Sequence, residues 1–154
     1  MLAYIVGNGL SRKPFDLNSI KTNGLEPYYG KAPIFCCNAA YRDFDCDYLV
    51  ALDKKIIEEI NNSTFPKHKF IIPPINEQYE SQEYHNGKGL TPRNNAAMIA
   101  MNEAIKFGYK HLVCLGMDFV IENKELNLGN IYDGTNAYGP ETRASFFDTM
   151  TIVS

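Results

Sequence analysis

The sequence predicts an α/β protein built on a mostly parallel sheet, and three observations carry that reading. Short apolar runs recur along the chain, at residues 2–6, 33–37, 47–53, 67–72 and 111–118. The runs are separated by helical periods or long crossings rather than by two-residue hairpin turns, the pattern of strands joined by crossover connections. Several of them end in glycine, asparagine or aspartate, where the carboxyl ends of the strands would lie, and open parallel sheets bind ligands along that edge. A chain of 154 residues is long enough to bury its own core. No repeat, low-complexity run or linker divides it, so residues 1–154 are expected to form one three-layer domain.

The first strand, near residues 2–6, breaks into Gly7-Asn8-Gly9-Leu10-Ser11. Glycine there permits positive φ and lets backbone N–H groups approach a ligand without a Cβ in the way. Asn8 adds an amide that both donates and accepts, suited to a nucleobase or sugar, although Asn-Gly is also a common turn dipeptide. Residues 14–25 permit a short helix or an irregular loop. Pro33–Cys37 reads as a strand ending at Asn38, which either faces the same ligand as Asn8 or caps the turn that follows. Asp47–Asp53 repeats the pattern. Lys54–Ile60 follows as a helix with Ile56, Ile57 and Ile60 on one face, and Asp53 either caps it or points at a ribose hydroxyl.

Lys67–Ile72 reads as another strand, stopped by Pro73-Pro74. The polar stretch from Pro73 to Leu90, which contains His85, is long for a loop and is expected to be functional or mobile. Thr91 as N-cap, Pro92 as first helical residue and Gly108 as terminator frame the clearest helix, with Ala97, Met101, Ala104, Ile105 and Gly108 on its packed face. The backbone amides of Arg93 to Asn95 would make its amino terminus a site for an anionic ligand. His111–Asp118 is a further strand with a carboxylate at its far end, and Arg143–Val153 a last helix or edge element.

Composition narrows the function classes. Hydrophobic residues make up 45% and charged residues 21% of the chain, and 15 Lys plus Arg against 18 Asp plus Glu leave a net charge of −3. The basic residues are dispersed along the chain, so neither nucleic acid nor an anionic membrane is expected as a partner. The apolar start stops at Gly7, too short for a signal peptide or a membrane span, so a cytoplasmic location is expected. Cys36, Cys37, Cys46 and Cys114 show no zinc spacing and read as reduced, buried small hydrophobes; no metal site is expected from them. His68 and His111 read as solvent-edge residues at strand starts.

Three segments carry a family resemblance. Val6-Gly7-Asn8-Gly9-Leu10-Ser11 resembles the amino-terminal Gly-Asn-Gly-x-Ser signature of bacterial sialyltransferases of the Campylobacter type, and Cys37-Asn38-Ala39-Ala40-Tyr41 resembles the segment after their second strand. Ala104 to Phe119, with its Gly-Tyr-Lys turn and Gly-Met-Asp-Phe ending, is similar to their helix–turn–strand unit. The same arrangement occurs in the related archaeal pterin diphosphokinases. The resemblance implies a Rossmann-like fold that holds a cytidine nucleotide, CMP or a CMP-sugar donor. Asn8 and Ser11 would lie beside the phosphate and sugar, with Asn38 on the nucleotide. Asp53 stands where the family has a third asparagine, and its Ser-Gly aligns near Ala96-Ala97, so that contact is lost or passed to Asn94 and Asn95.

The chain departs from the family downstream. Val120 stands where the family has a tyrosine that supports the leaving phosphate, and Tyr132 or Tyr138 would have to substitute. The family's distal histidine base has no counterpart after His111. His85 and Asp118 are therefore the catalytic candidates, with Asp53 a third; an aspartate would serve only if desolvation raised its pKa. Three functions follow as expectations: a minimal CMP-sugar glycosyltransferase, a non-catalytic nucleotide-binding module, or a diphosphokinase-like enzyme with magnesium on carboxylates such as Asp53 and Asp118. The short chain leaves little room for acceptor elements, and a homo-oligomer would supply the missing wall.

Overall fold

The computed structural model describes residues 1–72, 96–118 and 131–132. Within them lie five strands, β1 (Leu2–Val6), β2 (Ile34–Cys37), β3 (Tyr48–Val50), β4 (Phe70–Ile71) and β5 (His111–Leu115), and three α-helices, α1 (Leu17–Asn23), α2 (Lys54–Asn61) and α3 (Ala96–Lys106). All strand pairs are parallel and the order is β4-β3-β2-β1-β5. The chain thus steps outward from β1 through β2 and β3 to β4 and then returns to the other side of β1. This is a Rossmann-like α/β sheet, and the reversal falls between β1 and β5, where such sheets open a crevice at their carboxyl ends.

The central strands β1, β2 and β3 read as apolar runs because both of their faces are covered. Side chains alternate across the sheet. On one face Tyr4, Val6, Ile34, Cys36 and Leu49 pack with Leu17 and Ile20 of α1 and Ile56 and Ile60 of α2. On the other, Ala3, Ile5, Phe35 and Val50 pack with Ile99, Ala100 and Ala104 of α3. Tyr4 is fully buried, and its hydroxyl is satisfied at both ends: it donates to Gly30 O at 2.6 Å and accepts from Leu25 N at 3.1 Å. An eight-residue helix such as α2 would be marginal in water. Burial of Ile56 and Ile60 stabilises it by about 1.5–3 kcal/mol per side chain.

Helix boundaries follow local chemistry. Asp16 caps α1, its carboxylate accepting from Asn18 N at 3.0 Å and Ser19 N at 3.3 Å, and Gly24 at φ 75° ends it. Gly108, at φ 100°, follows the end of α3 as expected. Thr91 and Pro92, expected to begin this helix, and Arg143–Val153 lie outside the described residues.

Four local expectations change. The fourth strand is shorter than the expected Lys67–Ile72: Lys67–Lys69 form a 3-10 turn, with Lys69 N bonded to Pro66 O at 3.1 Å, because Pro66 starts the turn and no apolar side chain there calls for a pleated face. The packed face of α3 is rotated by about one residue, roughly 100°. It uses Ala96, Ile99, Ala100 and Ala104, whereas Ile105 is 56% exposed, because Ile99 fills the sheet surface between alanines that let the helix lie close. Asp53 stands at the N-cap of α2 but makes no side-chain capping bond. Cys36, Cys37 and Cys46 are buried free thiols as expected, whereas Cys114, on the outer strand β5, is exposed. No helix among the described residues is long and apolar enough to cross a membrane.

Candidate functional site

Between β1 and β5 the carboxyl rim carries two glycine-containing turns that touch. Gly7 N donates to Leu115 O and Gly9 N to Gly116 O, both at 2.8 Å. The contact needs glycine: a Cβ on Gly9 would lie 2.5 Å from Asp118 Oδ2 and 2.6 Å from Gly116 O, and one on Gly7 would lie 2.5 Å from Gly116 O. Gly116 itself takes φ +72°. Ser11, in the 3-10 turn Leu10–Arg12, completes the clasp. Its backbone N–H donates to Asp118 Oδ2 at 3.0 Å and its hydroxyl donates to Asp118 Oδ1. The structure thus joins the predicted residues Gly7, Gly9, Ser11 and Asp118 directly. Both carboxylate oxygens of Asp118 accept from Ser11, so a proton-accepting role would first have to displace that serine.

Asn8 is turned inward, 6% exposed. Its Nδ2 donates to Cys37 O at 3.0 Å, across to the end of β2, and its Oδ1 accepts from Arg12 Nη2 at 3.2 Å. Arg12 is buried to the same degree, 8% exposed, and its charge is met by dipoles: Nε donates to Gly7 O at 2.9 Å and Nη2 also to the phenol oxygen of Tyr132 at 3.4 Å. Tyr132 in turn donates to Asp43 Oδ2 at 2.8 Å, with the Arg12 guanidinium 6.0 Å from its ring centroid. Ile131 N bonds to Asn8 O at 2.8 Å and sets Tyr132 in place. Burial, with help from the bond to Asp43, pushes the Tyr132 phenol well above its usual range. It therefore remains a neutral hydrogen-bond donor at physiological pH.

Asn38 stands beside this network, at the end of the strand adjacent to β1. It opens the 3-10 turn Asn38–Arg42 in the left-handed region, φ 53°, a conformation asparagine tolerates better than most residues. Its Oδ1 is buried and has no hydrogen-bond partner among the described residues. The turn is anchored from behind: Tyr41 donates to Glu59 Oε2, and Arg42 bonds the same carboxylate through Nε at 3.0 Å and through Nη2. The bond from Arg42 holds the Glu59 carboxyl below its usual range. Burial and the bond to Glu59 push the Tyr41 phenol up to about 12. Burial pushes the Cys37 thiol up to about 12 as well, so it remains protonated.

The remaining candidates are not brought to this point. Asp53 is exposed beyond the end of β3. His85, Asn94, Asn95 and Tyr138 lie outside the described residues. Asp53 follows β3 and Asp118 follows β5, with β2 and β1 between them. At about 4.8 Å per strand their ends are roughly 14 Å apart, too far for the pair to share one magnesium ion. Among the described residues no group of three His, Cys, Asp or Glu side chains could hold a metal. Arg12 and Asp43 were not signalled by the sequence, since a single arginine or aspartate in a polar stretch looks like any surface charge. Compared with family models, curated proteins and solved structures, the chain matches none of them.

Proposed function

We propose that the protein binds a cytidine nucleotide at the carboxyl rim of the sheet and acts as a CMP-sugar glycosyltransferase. The observation that carries the reading is Asn38: an amide fixed in left-handed backbone at a strand end, anchored through Tyr41, Arg42 and Glu59, with a buried carbonyl oxygen left unbonded among the described residues. A buried acceptor without a donor costs about 1–3 kcal/mol. A ligand amino group or hydroxyl seated there would recover it, and the exocyclic amine of cytosine and the ribose hydroxyls are such donors. Tyr132, protonated and held between Arg12 and Asp43, would stabilise a departing phosphate by turning its single O–H from Asp43 toward it. It would take the role that Val120 cannot.

The occupied carboxylate of Asp118 favours a second reading, a binding module without transferase chemistry. A thermal-shift panel tests the binding common to both. CMP and CDP are expected to raise Tm where ADP, GDP and NAD do not, because a ligand stabilises only the state it binds. The Asn38→Ala variant is expected to lose the rise. Equal shifts for all five nucleotides, or none, would refute the cytidine site. Release of free sugar from a CMP-sugar by the wild-type protein separates the transferase from the module.

A further inference from the structure

The described residues build a second concavity at the opposite rim of the sheet. The segments entering β2, β3 and β4, with the carboxyl end of α1, line a cleft of about 900 Å³, within the range of small-molecule sites. Four basic side chains face it: Lys21, Lys31, His68 and Lys69. They come from three separate parts of the chain, and only the fold gathers them.

Lys21 and the acidic residues nearby neutralise one another. Lys21 Nζ lies 3.2 Å from Asp45 Oδ2 and 3.8 Å from Asp47 Oδ1. Asp47, the carboxylate of the cleft lining, also accepts from Ile34 N at 2.9 Å. The neighbouring Lys67 lies outside the lining and is spent on the carbonyls of Ile60, Ser63 and Phe65. The side chains of Lys31, His68 and Lys69 make no hydrogen bond or ion pair with the described residues. The cleft therefore holds positive charge in excess of its carboxylate. Its apolar lining is Ala32, Pro33 and Tyr48, whose ring stacks on Phe35 with centroids 4.6 Å apart.

We propose that this cleft binds a small organic phosphate. Its anionic group would lie on Lys31, Lys69 and His68, and its planar or apolar body on Ala32, Pro33 and Tyr48. Converging point charges suit a multivalent anion, and lysine serves phosphate in that way. The site is independent of the cytidine reading, because it lies at the amino ends of the strands whereas Asn38 lies past the carboxyl end of β2.

The test is isothermal titration of the full chain with phenyl phosphate and with inorganic phosphate, at ionic strength held constant with sodium chloride. Saturable binding is expected, tighter for phenyl phosphate than for inorganic phosphate. The Lys31→Gln/Lys69→Gln variant should bind about tenfold or more weakly, since one charge-assisted bond alone is worth about that factor. Its Tm without ligand should be unchanged, and Asn38→Ala should bind as the wild type does. If the double variant does not fold, Lys31→Glu and Lys69→Glu singly should each weaken binding. No saturable binding, binding insensitive to the lysine changes, or binding lost in Asn38→Ala would overturn the proposal.

Discussion

Asn8 and Asn38 follow neighbouring strand ends, yet among the described residues the Asn8 amide is spent on the protein and the Asn38 carbonyl oxygen is not. Both amide ends of Asn8 are engaged, on Cys37 O and on Arg12. Asn8→Ala is expected to lower stability by about 1–3 kcal/mol, since it leaves a buried carbonyl and a buried guanidinium short of a partner; urea denaturation measures it. Asn38→Gly should behave in the opposite way. Glycine takes φ 53° freely and removes the unbonded Oδ1, so stability should hold or rise by up to about 1 kcal/mol while cytidine binding is lost. A fall of more than about 1 kcal/mol would mean that the Asn38 amide is structural. The sequence shows that both asparagines follow strands. It does not show that Asn8 turns inward, because that depends on Arg12, whose burial no local pattern announces.

At the scale of elements, two clasps hold the rim. The β1–β5 turns touch backbone to backbone, so Gly9→Ala must push Gly116 O or the Asp118 carboxylate away. A loss of about 1–3 kcal/mol is expected, with faster hydrogen exchange at Ser11 N–H; an unchanged exchange rate would argue against the clasp. The second clasp, Tyr41 and Arg42 on Glu59, ties the turn carrying Asn38 to α2. The folded-state pKa of Glu59 is depressed. Its contribution is therefore fully present above the unfolded carboxyl value, about 4.3, and is lost as pH falls through the lower folded value. Glu59→Gln should flatten the stability–pH curve on that acid side; parallel curves for the two proteins would show that the bond does not matter. Apolar runs make the strands visible in sequence. Lys67–Lys69 and the turn of the α3 face are not legible in it, because Pro66 and the shape of the opposing sheet, rather than residue period, decide them.

For the whole molecule, the order β4-β3-β2-β1-β5 places the carboxyl rim and the basic cleft at opposite ends of the strands. The parallel α/β class was legible from alternating strands and crossings, and so was the carboxyl rim, because the polar residues there directly follow apolar runs. The basic cleft was not, because Lys21, Lys31, His68 and Lys69 look dispersed until the sheet aligns the entries to its strands. A cytidine nucleotide seated at Asn38 would be seen in an amide NMR titration with CMP that follows the Asn38 side-chain resonances. Saturable shifts of the Asn38 side chain and of residues 37–42, with the Asn8 side chain little moved and the resonances of Lys31 and His68 unmoved, are the predicted result. No shift at Asn38 at saturating CMP, or shifts confined to the amino rim, would contradict it.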